Sequence, residues 1–243
     1  MHGVAQFRTL GKEKADRVPS PFSPFQQSMT IKEKIRVLAD GFRENLDRVT
    51  VERVKEMEED DTSHYLIYKV LGVGDEEGRL IDVYQNKGRF LYKYAGSFLE
   101  KAAILCFKEK HPEAETLRIP NTEGSRPKNF EIDCVYGNLG IEIKWKDATT
   151  DGDHIAKEHT RLKTVQNAGY KPIRVMFYYP NRAQAQKIQR VLEDLYVGAG
   201  GEYHYGDSAW SFIRKQTDVD LLQILTDLAA ENTLSDEKSD QKD

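Results

Sequence analysis

Residues 131–147 read EIDCVYGNLGIEIKWKD, and the way this stretch folds decides the rest of the chain. Gly137-Asn138 separates two runs of alternating character. Glycine at the first of two loop positions suits a type II′ hairpin turn. Counted outward from that turn, Tyr136 faces Leu139, Val135 faces Gly140, Asp133 faces Glu142 and Glu131 faces Lys144. Period-two alternation then puts Glu131, Asp133, Glu142, Lys144 and Lys146 on one side of the hairpin. Ile132, Cys134, Ile141, Ile143 and Trp145 take the other side, an apolar face expected to meet a layer of helices.

Like charges directly across a ladder destabilise it. Solvent exposure, a nearby lysine or a divalent cation would relieve the Asp133–Glu142 pair. Two carboxylates on one face form a hard oxygen site suited to Mg²⁺, which completes its shell with water and phosphate oxygens. Lys144 projects to the same side, where an ammonium can orient a water, lower its pKa or stabilise developing phosphate charge. These are the parts that metal-assisted phosphodiester hydrolysis requires. An exposed, merely solvated charged face is the competing reading of the same pattern.

The flanks supply a mixed α/β context. Residues 1–28 include the Pro/Ser-rich VPSPFSPFQQS and read as an irregular arm. Residues 29–88 read as a helical region: a helix from Thr30 to about 61, with Gly41 as a break, and a short helix capped by Ser63 that ends near Gly72 or Gly74. GVGDEEG (72–78) reads as a loop. Residues 89–109 carry the strongest helical signal, with Phe90, Leu91, Tyr94, Phe98, Ala102 and Leu105 as an apolar stripe and Glu100 inside the helix. A strand at 117–120 and the loop NTEGSRPKN lead into the hairpin. A helix near 154–168 closed by Gly169, a strand at 172–179 and a helix opened by Asn181 follow. GAGGEYHYG reads as a loop, 217–230 as a last amphipathic helix, and 231–243 as a disordered acidic tail. A hairpin followed by a crossover helix and a parallel strand predicts an α/β (α+β) core over 89–230, a mixed central sheet flanked by helices.

Composition bounds the setting. The 243 residues are 39% hydrophobic and 31% charged, as in a globular protein. The N-terminus lacks a secretory apolar region and no stretch suits a membrane span, so a cytoplasmic protein is expected. Net charge is −4, but residues 231–243 carry five acids and two bases and so contribute −3. Residues 120–182 carry ten Lys/Arg and eight Asp/Glu, a local +2 compatible with a DNA groove. Cys106 and Cys134 read as two buried thiols. His154 and His159 are five apart and do not form a zinc pair.

Around the hairpin, DGDHIAKEHTR (151–161) places Lys157 and Arg161 four apart after an Asp153 cap. They face DNA phosphates or form a solvated face with Glu158. His154 stands beside the metal site or makes a structural hydrogen bond. NRAQAQKIQR (181–190) offers Asn181 and Arg182 as base-edge contacts, or is an ordinary polar helix face.

Asp133 and Glu142-Ile143-Lys144 resemble the Asp…Glu-x-Lys motif of the PD-(D/E)xK nuclease superfamily, with Ile132 where the motif often has proline. YQNKGRFLYKYAGSFLE, DGDHIAKEHTR and GYKPIRVMFYYPNR are similar to type II restriction endonucleases of the ApaLI kind. The resemblance implies a restriction-endonuclease-like core in which Asp133, Glu142 and the Ile143 carbonyl hold Mg²⁺. It further implies that Lys144 assists the attacking water and that Glu100 is the acid on the preceding helix. Lys146, His154, Lys157, Arg161, Asn181 and Arg182 become the candidate contacts to double-stranded DNA. The ApaLI-like resemblance also implies a homodimer cleaving a palindromic site, since a palindrome is read by two-fold symmetry. A repair or recombination nuclease on the same core, and a non-catalytic DNA-binding protein, are the alternatives.

Overall fold

A computed structural model describes residues 29–240, apart from 60, 148 and 150. The arm expected over 1–28 lies outside the described residues. The described residues from Ile31 onward form one unit. Its sheet has five strands in the order of the chain: β1 (Glu115–Pro120), β2 (Asn129–Tyr136), β3 (Leu139–Lys146), β4 (Lys171–Tyr178) and β5 (Glu202–Tyr205). β1, β2 and β3 are antiparallel neighbours, whereas β4 and β5 continue parallel to β3. The sheet therefore changes from antiparallel to parallel at β3, its middle strand.

Seven helices are described: α1 (Ile31–Glu58), α2 (Tyr65–Val70), α3 (Asp75–Lys110), α4 (Asp153–Asn167), α5 (Ala183–Gly198), α6 (Asp207–Thr217) and α7 (Leu221–Asp240). On one face of the sheet, Ile141, Ile143, Ile173, Val175 and Phe177 pack with Ala102, Ala103, Cys106 and Phe107 of α3 and with Phe212 and Ile213 of α6. On the other, Met176 packs with Leu162 of α4 and with Ile188, Leu192 and Tyr196 of α5. Full burial of such side chains contributes about 1.5–3 kcal/mol each. The expected mixed sheet between helix layers is present. No described helix is long and apolar enough to cross a membrane.

Several boundaries differ from expectation. α1 runs through Gly41, where an added Cβ would meet open space. The short second helix follows His64 rather than Ser63, and Gly72 ends it at φ +87°. GDEEG is not a loop. Gly74 precedes α3, and Asp75, Glu76 and Glu77 occupy its first turn, where acids complement the helix dipole. α3 is thus 36 residues long, about 54 Å. Arg182 rather than Asn181 is the residue before α5, and Asp153 is the first residue of α4 rather than its cap. EYHY within the expected glycine-rich loop is β5, an edge strand that pairs through Ile173–Met176. It reaches β4 because Gly201 lies against it: a Cβ there would come within 2.2 Å of the Pro172 carbonyl. α6 precedes the last helix, which continues to Asp240, past the expected end near 230.

Candidate active site

The β2–β3 hairpin turns as its glycine predicts. Gly137 has φ +53°, and Asp218 is the sole non-glycine with positive φ among the described residues, so Asn138 keeps negative φ as a type II′ turn requires. Tyr136↔Leu139, Val135↔Gly140 and Cys134↔Ile141 pair in the expected register. The ladder then stops short of Asp133 and Glu142. Asp133 Oδ2 instead accepts a hydrogen bond from Ile143 N–H at 2.7 Å. The carboxylate takes the place of a strand carbonyl.

The cause lies on the other side of β2. Leu117 pairs with Ile132 but Glu115 pairs with Val135, so two residues of β2, Asp133 and Cys134, stand against one residue of β1. This is a β-bulge, which bends a strand and re-aims a side chain. Thr116 Oγ1 holds it by donating to the Asp133 carbonyl at 2.9 Å. The bulge corrects two expectations. Ile132 joins Phe130, Val135 and Val165 on the α4 side, away from Cys134 and Ile141. Glu131 pairs with Arg118 at 2.9 Å rather than facing Lys144, and Lys144 pairs with Glu142.

Asp133 and Glu142 are both buried, at 8% and 4% exposure, so the solvated-face reading of the hairpin fails. Burial pushes the Asp133 carboxyl up to about 7, with Glu142 and Glu100 adding repulsion. Glu100 on α3 is raised as well, first by burial and then by Glu142 and Glu131, while Lys144 opposes the rise. Burial would also raise Glu142, but Lys144 and Arg161 outweigh it and hold the group below its ordinary value. Burial would lower Lys144, but Glu142 and Asp133 keep it raised, so it remains an ammonium. Glu100, Asp133, Glu142 and Lys144 therefore share one electrostatic neighbourhood.

Glu142 continues into a chain of alternating charges. Its Oε2 meets Arg161 Nη1 of α4. Arg161 Nε lies 3.5 Å from Glu158, Glu158 is 3.0 Å from Arg174 of β4, Arg174 is 2.7 Å from Asp147, and Asp147 is 3.0 Å from the His154 ring. Arg174 is fully buried and Glu158 nearly so. Arg174 and Asp147 were not singled out in the sequence, and Glu158 entered only as a member of a solvated face. The available signal was an arginine inside the apolar run PIRVMFYY, where a charge requires a buried partner. Glu142 Oε1 abuts Lys144 Nζ as an ion pair, whereas Arg161 Nε and Arg174 Nε are buried without a hydrogen bond. Among the described residues no three His, Cys, Asp or Glu side chains gather closely enough to cage an ion alone.

A model of the ApaLI-like restriction endonuclease family matches residues 15–230. The chain belongs to the ApaLI-like restriction endonuclease family. No curated protein and no solved structure matched it. Membership carries a restriction-nuclease function and a DNA ligand.

In this ApaLI-like chain the expected DNA contacts divide into two groups. Lys146 and Lys157 are exposed, as are Asn181 and Arg182 after β4. Lys146 pairs with Tyr178, so the carboxyl ends of β3 and β4 lie side by side and bring Lys146 near the Asn181–Arg182 segment. That edge of an open sheet is where ligands commonly bind. His154 and Arg161 point inward instead. His154 makes the structural hydrogen bond of its two readings, to Asp147. Arg161 faces Glu142 and lies over the Phe130 ring, 5.3 Å from its centroid. Glu158, which one of the two readings put on a solvated face with it, is buried.

Proposed function

We propose that the chain is a Mg²⁺-dependent type II restriction endonuclease that acts as a homodimer and hydrolyses phosphodiester bonds at a specific palindromic site in double-stranded DNA. The observation that carries this reading is the pair of buried carboxylates, Asp133 and Glu142, beside the protonated Lys144 in a member of a restriction-endonuclease family.

The donor set suits a hard divalent ion. Glu142 Oε1 is a buried carboxylate oxygen turned to the Lys144 ammonium, and burial and neighbouring acids resist the charge on Asp133. A divalent cation would offset the charge of both carboxylates. Asp133, Glu142 and the Ile143 carbonyl would hold Mg²⁺, with Glu100 as a further acid. Bound there, the ion polarises the phosphoryl group and lowers the pKa of water.

The side chains supply the rest. Lys144, kept charged by Glu142 and Asp133, stabilises developing negative charge on the phosphate and orients the attacking water. It is not the proton acceptor, because its pKa is raised. The Ile143 N–H fixes one Asp133 oxygen. Lys146, Lys157, Asn181 and Arg182 hold the duplex at the strand ends. One site per chain and two strands per duplex require two copies related by a two-fold axis, which a palindrome matches.

Incubation with plasmid and Mg²⁺ gives discrete bands if the reading holds. Asp133→Ala and Glu142→Ala abolish cleavage, and Lys144→Ala lowers it about 10²–10³-fold, with DNA affinity retained in each. Structure-selective cutting or a smear favours a repair or recombination nuclease instead. Full activity of Lys144→Ala removes that residue from the mechanism.

A further inference from the structure

The ion pairs behind Glu142 carry a second assignment. A buried carboxylate is costly to keep ionised and has two oxygens to place. Arg161 deals with one of them. Its Nη1 reaches Glu142 Oε2, its Nε side faces Glu158, and its plane lies over Phe130. Its side chain is only 19% exposed, so it is poorly placed to meet a DNA phosphate without leaving Glu142. Glu158 is fixed in turn by Arg174, and Arg174 by Asp147. The guanidinium is thus oriented by Glu142 on one edge, the Phe130 ring on its face and the buried Glu158 on the Nε side, while Glu142 Oε1 is turned to Lys144.

We infer that Arg161 is a positioning residue for Glu142: it clamps Oε2 so that Oε1 stays turned to the Lys144 side, where the divalent cation would bind. The inference rests on the nuclease reading of the same site. It also gives the buried chain Arg161–Glu158–Arg174–Asp147 a purpose, as the anchorage of the clamp to α4, β4 and the end of β3. Arginine suits the task because one planar group spans two acids, whereas lysine offers a point charge.

Arg161→Lys tests this, because it keeps the charge and removes the planar group that reaches both Glu142 and Glu158. Coulomb attraction for a cation is then nearly unchanged, and any loss reports geometry. Binding of Mn²⁺ to the DNA-free protein, followed by electron paramagnetic resonance of the free ion, is expected to weaken about tenfold or more. The maximal cleavage rate at saturating metal and DNA falls by a similar factor. DNA affinity in Ca²⁺ and its salt dependence stay within threefold.

Mn²⁺ binding and cleavage within threefold of the parent overturn the assignment. So does a tenfold loss of DNA affinity with Mn²⁺ binding unchanged, which identifies Arg161 as a phosphate contact. If Arg161→Lys does not fold, Glu158→Gln serves. It leaves Arg161 present but loosens it, and a loss of Mn²⁺ affinity of threefold or more is expected; no change overturns the clamp. Glu142→Ala separates the two levels. If it binds Mn²⁺ and cleaves like the parent, the nuclease reading of the site fails first.

Discussion

Asp133 is the residue at which stability and activity are set against each other. Its carboxyl is raised to about 7, first by burial and then by Glu142. A raised folded-state pKa means that the charged form opposes folding, and this cost is present in full above pH 7 and fades as pH falls toward 4. Asp133→Asn keeps an oxygen for the Ile143 N–H and removes the charge. It should therefore be inactive yet more stable than the parent at pH 8, by on the order of 1 kcal/mol, a gain of a few degrees in melting temperature. A lower melting temperature would mean that the hydrogen bond outweighs the buried charge. Asp133, Glu142 and Lys144 were legible in the sequence, because turn and alternation define the near neighbours of a hairpin. Arg161 was visible but its direction was not. Arg174, Asp147 and the burial of Glu158 were missed because the partners come from different elements, and no local pattern encodes that meeting.

At the scale of elements, the bulge in β2 is what sequence counting lacked. The register of three pairs could be counted from Gly137-Asn138, but the bulge is imposed by β1, whose pairing with β2 is not local. β5 and α6 were lost for a related reason: a four-residue strand framed by glycines has too short a pattern to be distinguished from a loop. The β3–α4 connection carries its own prediction. Burial would raise Asp147, but the His154 hydrogen bond and the Arg174 charge outweigh it and hold the group well below the carboxylate range. The folded state thus favours the anion, and the stability it contributes is present above pH 4 and lost as pH falls below that. Asp147→Asn should cost about 2 kcal/mol at pH 7 in urea unfolding, with the gap to the parent narrowing toward pH 2. A gap independent of pH would show that the connection is held by shape rather than charge.

For the whole molecule, the mixed sheet between helix layers was readable because the hairpin, crossover helix and next strand each have distinct periodicity. The central place of β3 follows from pairing, not from any feature of its own sequence. Glu142 and Lys144 therefore stand on a strand flanked on both sides. α2, in contrast, has no buried residue. In hydrogen–deuterium exchange, β3 and β4 amides should open only with global unfolding, and α2 long before them. The Ile143 amide is a special case among them. Its proton is bound to a side chain that the proposed cation must share, not to a neighbouring strand. A single nitrogen resonance in the middle of the sheet is then a built-in gauge of metal occupancy. Titration with Mg²⁺ should move it before its neighbours, and in Asp133→Ala it should exchange early and ignore the ion.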